Sequence, residues 1–194
     1  MNNQQHVLLC VIGKTASGKD SLVDKLCKRT GWKKVISYTT RPRRNNEGNS
    51  HIFTDKDTYE QMQLNGNVAA YTEIAGEIYW TTVDQLYEND IYIIDPQGVK
   101  NLKKLDLPDL KLVLVYINTP DDLREQRALH QRGDDKSKFR AREHSEKNQF
   151  REMLRNEEFD YAIPNIDFAN AYSVLKWIAT VEGCWKNHME DTAE

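Results

Sequence analysis

The stretch Gly13–Ser21, with the sequence GKTASGKDS, decides the fold of this 194-residue chain. It directly follows the apolar run Val7–Ile12 and leads into a helical pattern. Glycines let the backbone N–H groups of such a loop converge on a polyphosphate, the helix start adds partial positive charge, and a lysine reaches the outer phosphates. The pattern therefore predicts a phosphate-binding loop formed by Gly13, Ala16, Ser17, Gly18, Lys19, Asp20 and Ser21.

One position departs from the common form of this loop. A Ser or Thr normally follows the lysine and contacts magnesium, whereas here Asp20 follows Lys19 and the hydroxyl of Ser21 comes one residue later. An aspartate at this point either orders the water shell of the metal or caps the helix. We expect the cap.

Other apolar runs are also continuous, as strands buried on both faces of a parallel sheet require. They are Ile91–Ile94, Leu112–Ile117 and, more weakly, Val35–Ser37. Segments with helical spacing separate these runs. One helix is predicted from Lys19 with Gly31 as its C-terminal cap, a second after Pro96, and a third with Thr119 as its N-cap. A fourth is predicted over about 167–184, with one apolar face formed by Val174, Leu175, Ile178 and Val181. This alternation predicts an α/β fold, a three-layer sandwich around a parallel sheet.

Two regions interrupt the alternation. Residues 41–80 are polar and rich in turns, which favours a small inserted subdomain. Residues 131–155 are almost entirely charged and polar, with no continuous apolar face, which favours a mobile or solvated helical segment. We predict one domain, 1–194, with a core (about 1–36, 84–126 and 156–186), an insert (about 37–83) and a lid (about 127–155).

Composition excludes several classes of protein. Lys and Arg total 27 against 30 for Asp and Glu, and a formal charge of -3 argues against a dedicated nucleic-acid binder. The N-terminal apolar run is too short for a signal segment or a membrane span. Cys10, Cys27 and Cys184 fit no zinc or redox spacing, so we interpret them as buried thiols. We expect a cytoplasmic protein with no membrane partner.

A second cluster of positive charge lies in Ser37–Arg44, with the sequence SYTTRPRR. Three arginines around a proline-fixed turn make a compact anion clamp, because a guanidinium group holds phosphate through two hydrogen bonds. A solvated basic loop is the alternative. Beside a phosphate loop, a second phosphate site has a purpose, since one site would hold the donor and the other the acceptor.

These motifs resemble the guanylate kinase family, whose phosphate loop is followed by S-x-T-T-R-x-x-R, a Glu-Gly stretch, Y-x-F, G-x-Y-Y-G-[ST], D-x-x-G and an arginine-rich lid. The matching segments here are Gly13–Ser21, Ser37–Arg44, Glu47-Gly48, His51–Phe53, Gly76–Thr82, Asp95–Gly98, Arg132-Gly133 and Ile163–Asn165. The order and spacing hold over nearly the whole chain. The resemblance implies a P-loop kinase fold in which the insert binds a nucleoside monophosphate.

The resemblance also implies roles for individual residues. ATP would bind at the phosphate loop with Asn165, and Lys19, Arg44, Arg127, Arg132 and Arg142 would serve catalysis. In the lid, Arg140 remains an alternative to Arg142. The acceptor nucleotide would be held by Ser37, Arg41, Arg44, His51, Tyr79, Thr81 and Asp95, with His51 where the family has a tyrosine and Thr81 reading the guanine carbonyl. Asp95 would also hold Mg²⁺, through water.

Base recognition is where the chain departs from the family. A Glu that accepts hydrogen bonds from guanine is replaced by Ala70, and a second acid two residues before Asp95 is replaced by Ile93. Glu73 would face the wrong way in a plain strand. Trp80 replaces a glycine, and we expect its ring near the base. Loss of buried polar contacts weakens selection for a base.

We therefore predict an ATP- and Mg²⁺-dependent nucleoside monophosphate kinase, with GMP or dGMP preferred because of the resemblance. Another or modified (deoxy)nucleotide is the main alternative as acceptor. A kinase for a nucleotide within DNA would need a basic channel, which the sequence does not indicate. A non-catalytic binding module of this type would typically lose Lys19 and the lid arginines, which this chain keeps. The sequence does not indicate the oligomeric state.

Overall fold

Two four-stranded sheets organise the part of the chain that the computed structural model describes, residues 5–43, 48, 50–74 and 76–183. The strands are β1 (His6–Ile12), β2 (Tyr38–Thr39), β3 (Ile52–Phe53), β4 (Val68–Ile74), β5 (Glu77–Thr82), β6 (Ile91–Ile93), β7 (Leu110–Asn118) and β8 (Tyr161–Pro164). The helices are α1 (Lys19–Thr30), α2 (Lys56–Leu64), α3 (Val83–Glu88), α4 (Pro96–Leu102), α5 (Asp121–Gln126), α6 (Lys136–Arg155) and α7 (Phe168–Val181). A π-helical turn, Arg127–Gln131, continues α5.

The first sheet is parallel and has the order β6-β1-β7-β8. β1 is covered on both faces, as its continuous apolar run predicts. Leu8 and Cys10 share a buried cluster with residues of α3, α4 and α6, whereas Leu9 and Val11 share another with residues of α1 and α7. These are the three layers expected from the alternation of strands and helices.

Helix termini follow the local sequence in most places. Gly31 ends α1 with a φ of 73°, and its N–H bonds to the Cys27 carbonyl. Asp95 and Asp167 cap α4 and α7 through their side chains. The prediction that Thr119 caps the following helix is wrong: Pro120 occupies that position, and the Thr119 hydroxyl donates to the Ser17 carbonyl instead.

Two further expectations are corrected. The weak apolar run Val35–Ser37 forms no strand, because only a single bridge joins Lys34 to Ile91 before the chain turns into the second sheet. On α7, Leu175 and Ile178 are buried as predicted, together with Ala171 and Ala179. Val174 and Val181 are instead exposed, at 41% and 51%, because the buried face is built around the small alanines.

The second sheet has the order β3-β2-β5-β4 and lies wholly within the region predicted as an insert. β2 and β5 pair antiparallel, as do β5 and β4, and an irregularity occurs between Val68 and Ala70. Close contacts join β4 to α4, including a hydrogen bond from the Asn101 amide to the Tyr71 carbonyl, 2.7 Å long. The division into core, insert and lid stays a prediction.

The polar region 131–155 contains one long helix, α6. Phe139, Phe150 and Met153 are buried on it, so the helix is docked on the core although its sequence shows no continuous apolar face. Within the described ranges, no helix is both long and apolar enough to cross a membrane. Cys10 is buried, and burial raises the pKa of the Cys27 thiol to about 11, whereas Cys184 lies outside the described residues.

Candidate active site

The loop Gly13–Ser21 connects the end of β1 to the start of α1. Gly18 adopts a φ of 84° at the N-cap of α1, and a side chain at Gly13 would lie 2.5 Å from the Ser17 hydroxyl. Gly18 is therefore required by the backbone conformation, and Gly13 by the close approach of the Ser17 side chain. Ala16 has a φ of 57°, a left-handed conformation that costs an L-residue about 1–2 kcal/mol. The loop is thus a strained, closely packed turn.

The expectation that Asp20 caps α1 is wrong. Gly18 occupies the cap position with no side-chain cap, and the Asp20 carboxylate lies 3.6 Å from Nζ of Lys19. Asp20 is 70% exposed, whereas the Lys19 side chain is only 19% exposed. Ser21, the hydroxyl that follows, is also exposed. Lys19 is therefore held against the protein, and the two polar residues after it face solvent.

Three side chains from the ends of neighbouring elements donate to one loop carbonyl, that of Ser17. Nδ2 of Asn165, just after β8, lies 2.7 Å from it, and the Thr119 hydroxyl, just after β7, lies 2.9 Å away. Arg127 donates to the same carbonyl at 3.4 Å and to the Asn165 carbonyl at 3.0 Å. In this structure Asn165, predicted to bind ATP, and Arg127, predicted to serve catalysis, both hold the backbone of the loop.

The predicted lid arginine Arg132 follows the π-helical turn. It is exposed and pairs with Asp134, at 3.2 Å. The helix ends with this turn at Gln131, and Arg132 is its C-terminal cap residue.

The sequence left Arg140 and Arg142 as alternatives, and their surroundings differ. Arg140 is turned towards Glu125, with 4.0 Å between the charged groups. Arg142 contributes positive charge near Glu146, a carboxylate in contact with the phosphate loop. Arg142 is therefore the one of the two that lies on the side of the loop.

Two residues at the loop were missed by sequence reasoning. Arg124 is fully buried and donates to the Thr15 carbonyl at 3.1 Å, and Glu146 accepts the Thr15 N–H at 2.8 Å. Burial raises the pKa of Glu146, and the positive charges of Lys19, Arg124 and Arg142 oppose that rise. For Glu146 the sequence offers a signal in its spacing, because it lies seven residues after Phe139 and so on the same face of α6.

The predicted acceptor clamp gathers three side chains on the second sheet. Nε of Arg41 donates to the Tyr79 hydroxyl at 3.1 Å, and the His51 ring lies edge-on to the Tyr79 ring, 5.5 Å between centroids. Arg41 and Arg43 also lie over the Phe53 ring. The predicted residue Arg44 lies outside the described residues. A cation, a phenol and an imidazole are thus within reach of one anion.

Ser37 and Thr81, predicted to contact the acceptor, both lie near Tyr92. The Ser37 hydroxyl is 3.4 Å from the Tyr92 hydroxyl, and Thr81 hydrogen-bonds to the same residue. Thr81 is fully buried and donates to Oε1 of Gln85 at 2.7 Å. Burial raises the pKa of Tyr92, which therefore stays a neutral phenol. Hydroxyl groups line this part of the site.

A comparison with known proteins identifies the family. The family model for guanylate kinase matches residues 5–181. The chain is 32% identical to guanylate kinase of Caulobacter vibrioides, covering 94% of this chain and 90% of the relative. It is 30% identical to guanylate kinase of Syntrophotalea carbinolica, covering 96% and 91%.

The chain belongs to the guanylate kinase family. The crystal structure of guanylate kinase from Anaplasma phagocytophilum has the same fold, with a TM-score of 0.63 over 92% of this chain and 87% of that chain at 21% identity. These findings confirm the predicted α/β fold class and the family, and with the family the class of nucleoside monophosphate kinases. The roles of individual residues stay predictions.

The base-reading departures from the guanylate kinase family can now be located. Ala70, the residue predicted to replace the family's glutamate, is buried and pairs with Thr81 across β4 and β5. Ile93 packs against the apolar cluster of α1 and α7. Glu73 is exposed, and because it is two residues from Tyr71, both lie on the same face of β4. That face is directed towards α2, since the Tyr71 ring is 6.1 Å from the Tyr59 ring on α2. Glu73 is therefore on the face opposite to Ala70, as expected.

The expectation that Trp80 lies near the base is wrong. Its ring is buried, stacks on Tyr38 with 5.3 Å between centroids, and meets Tyr59 edge-on at 5.1 Å. Its Nε1 lies 3.3 Å from the Met62 sulfur on α2. Because strand side chains alternate, Trp80 faces α2, whereas its neighbour Thr81 faces the predicted acceptor side.

Asp95 lies at the end of β6, where the guanylate kinase family has an acid near the base. One oxygen accepts the Gly98 N–H at 2.7 Å, and the Thr72 hydroxyl also bonds to the carboxylate. Burial raises the pKa of Asp95, while these hydrogen bonds and the charge of Lys19 oppose the rise. An oxygen donor near Lys19 suits Mg²⁺, which keeps several waters and binds few protein carboxylates. Among the described residues, no group of three His, Cys, Asp or Glu side chains forms a metal cage.

Proposed function

We propose that this member of the guanylate kinase family transfers the γ-phosphoryl group of ATP to a nucleoside monophosphate, and that GMP or dGMP is its preferred acceptor. The observation that carries the proposal is the phosphate loop. It leaves a buried strand, turns through left-handed Ala16 and Gly18, and begins a helix at Lys19. Backbone N–H groups and a helix N-terminus arranged in this way attract a polyphosphate.

The donor would occupy this loop. Lys19, whose side chain is mostly covered, would contact the outer phosphates, and Asn165 and Arg127 would stabilise the loop from the ends of β8 and α5. Arg132 and Arg142 are exposed, so they are available to reach the γ-phosphate when the lid closes. Their positive charge would stabilise the transferring phosphoryl group in the transition state.

The acceptor phosphate would bind at the cluster of Arg41, Tyr79 and His51, together with Ser37 and Arg44. An oxygen of the acceptor phosphate attacks the γ-phosphorus as the bond from that phosphorus to the β–γ bridging oxygen breaks. ADP leaves with the bond electrons, and a nucleoside diphosphate forms without a covalent enzyme intermediate. The protein's contribution is therefore positioning and charge neutralisation.

Magnesium, when bound, would neutralise charge on the donor phosphates. Asp95 would hold it through water, because one oxygen of its carboxylate is already engaged as the cap of α4. Asp20 and Ser21 are exposed beside Lys19 and would be within reach of the water shell. This arrangement relies on the nucleotide and water for most metal ligands.

We expect this protein to select guanine less strongly than a protein with a carboxylate at position 70. The N1–H and N2–H₂ groups of guanine need acceptors, and the position opposite Thr81 offers only a methyl group. The hydroxyl groups of Ser37, Thr81 and Tyr92 can donate or accept, so they tolerate different bases. We expect GMP and dGMP to remain the best acceptors and other nucleoside monophosphates to react measurably.

The direct test is turnover. Purified protein, ATP and MgCl₂ would be incubated with each ribo- and deoxynucleoside monophosphate, and ADP release would be followed by a coupled assay. Turnover with GMP or dGMP is expected, together with its loss in Lys19→Ala. Absence of turnover with every acceptor, in protein that binds ATP, would contradict the proposal and favour a binding module.

A further inference from the structure

The buried face of α6 carries two carboxylates where an apolar stripe is expected. Phe139, Glu143, Glu146, Phe150 and Met153 are spaced by three or four residues, so they lie on one face of the helix. The three apolar members are buried, and Glu143 and Glu146 are partly covered between them. A carboxylate on a packed face costs free energy unless it has a partner. Glu146 has a partner in the phosphate loop, and Glu143 has one in Arg124, which itself contacts the loop.

Glu146 contacts the loop directly. Its Oε2 accepts the backbone N–H of Thr15, the third residue of the loop, at 2.8 Å. The contact joins residues 131 positions apart in the sequence. Three positively charged groups, Lys19, Arg124 and Arg142, act on this one carboxylate. The negative charge of Glu146 is therefore outweighed by the positive charges beside the loop.

Glu143 acts through Arg124. The buried guanidinium of Arg124 donates from one nitrogen to Glu143 at 2.5 Å and to Asp121 at 2.7 Å, and from another to the Thr15 carbonyl at 3.1 Å. Although burial lowers the pKa of Arg124, the hydrogen bonds to the two carboxylates raise it above its usual value. Thr15 is therefore held at both its N–H and its C=O.

The residue that needs this support comes next. Ala16 has a φ of 57°, and such a conformation persists in a residue other than glycine where the surroundings hold it. Its methyl group is buried in a cluster with Ala128 of the π-helical turn and Phe139 of α6. The lid helix thus reaches the loop at three successive places: Phe139 on Ala16, Glu143 through Arg124, and Glu146 on Thr15.

We infer that Glu146 and Arg124 are positioning residues for the donor phosphates: they hold Thr15, and through it the conformation of the phosphate loop that binds ATP. The inference rests on the proposed function for its kinetic consequence, but the contact itself is independent of that function. α6 is then a support of the loop, and lid closure would involve the exposed arginine side chains on and before this helix, Arg142 and Arg132.

The test compares Glu146→Ala with Glu146→Gln, which keeps an oxygen that accepts the Thr15 N–H. In Glu146→Ala we expect the KM for ATP to rise about tenfold or more, as loss of a charge-assisted hydrogen bond implies, with the KM for GMP changed less than about twofold. Glu146→Gln is expected to restore most of the affinity. Glu152→Ala is the matched control, since Glu152 lies on the same helix but pairs with Lys100.

A second measurement does not depend on turnover. Amide hydrogen exchange at Thr15 in the nucleotide-free protein should be about tenfold faster in Glu146→Ala and unchanged in Glu152→Ala. Arg124→Lys, which keeps the charge but not the forked donor, should weaken ATP binding in calorimetry without unfolding the protein. If the wild type binds ATP without turnover, the proposed function fails, while exchange and calorimetry still test the inference.

Two results would overturn the inference. One is unchanged Thr15 exchange and unchanged ATP binding in Glu146→Ala, which would make the contact incidental. The other is tighter ATP binding in both Glu146→Ala and Glu146→Gln, which would show that the carboxylate competes with phosphate for the loop.

Discussion

The predicted donor and acceptor sides of the site are built in different ways. On the donor side, backbone groups of the phosphate loop are held by side chains from four other places in the fold, among them Arg124, Asn165 and Glu146. On the predicted acceptor side, the groups are side chains on or beside a small sheet, partly covered for Arg41 and Tyr79 and fully buried for Thr81.

This difference bears on which parts of the family pattern the chain is predicted to keep. A backbone loop depends on the packing around it, so a change at one residue disturbs the whole turn. A side chain such as the one at position 70 projects from a strand whose hydrogen bonds are made by the backbone, and it can change while the sheet persists. These properties agree with the prediction that the phosphate loop is retained and that the base-reading positions have diverged.

The largest expected effect concerns the packing that joins α6 to the donor side. Phe139→Ala should lower the free energy of unfolding by about 3–5 kcal/mol, because the ring is buried against Ala16 and Ala128. Chemical denaturation would measure the change. Leu154→Ala, on the same helix but 36% exposed, is the control and should cost about 1 kcal/mol or less. Equal costs would show that α6 is not docked on the loop.

The acceptor clamp should act on the acceptor alone. Arg41→Ala is expected to lower kcat/KM for GMP by about a hundredfold, the size expected for a lost charge-assisted phosphate contact, with little change in the KM for ATP. Steady-state kinetics with each substrate varied would separate the two. Arg43→Ala is the control, because Arg43 donates to the Gly48 carbonyl and lies over Phe53. A larger loss of kcat/KM for GMP in Arg43→Ala than in Arg41→Ala would show that the acceptor phosphate does not bind at Arg41.

Asp95 combines a cap with a predicted role in holding metal-bound water. Asp95→Asn keeps an N-cap, so the protein should stay folded, while turnover should fall about thirtyfold, within the range for residues that support a metal site. Turnover at saturating MgCl₂ checks this.

The pH dependence of stability provides a second check on Asp95. The folded wild type keeps the Asp95 proton more tightly than the unfolded chain, since burial raises the pKa above 3.8. Wild-type stability relative to Asp95→Asn should therefore fall as pH rises from below 3.8 through the raised pKa. The opposite slope would mean that the carboxylate is stabilised as an anion.

The smallest expected effect concerns the base. Ala70→Glu should raise the ratio of kcat/KM for GMP over AMP about tenfold, since a carboxylate would accept hydrogen bonds from guanine. Because a buried charge can unfold the protein, Ala70→Gln should be measured as well, with a smaller change in the same direction. An unchanged ratio in folded variants would mean that position 70 does not face the base.

The fold was predictable because its signals are local. Continuous apolar runs such as Val7–Ile12 and the loop that follows it predict a parallel sheet and a helix start without any knowledge of partners. The run Val35–Ser37 misled because an apolar segment becomes a strand only where a neighbouring strand pairs with several of its residues. Here the pairing with β6 is a single bridge, between Lys34 and Ile91.

The site was less predictable because its side chains bond to residues that are distant in the sequence. Arg124 and Glu146 look like surface charges in a polar sequence, and their burial depends on contacts with Thr15 more than 100 residues away. Trp80 likewise faces α2 because its ring packs there. Its position in the sequence, where the family has a glycine, did not indicate that packing.

The measurement that tests the account most directly is the ratio of wild-type kcat/KM for GMP to that for AMP, with ATP and MgCl₂ saturating. A retained donor side and a diverged base reader predict ATP-dependent turnover of both, with GMP favoured by about a hundredfold or less. A preference of about ten-thousandfold or more, typical of a site whose polar groups pair with one base, would contradict the account.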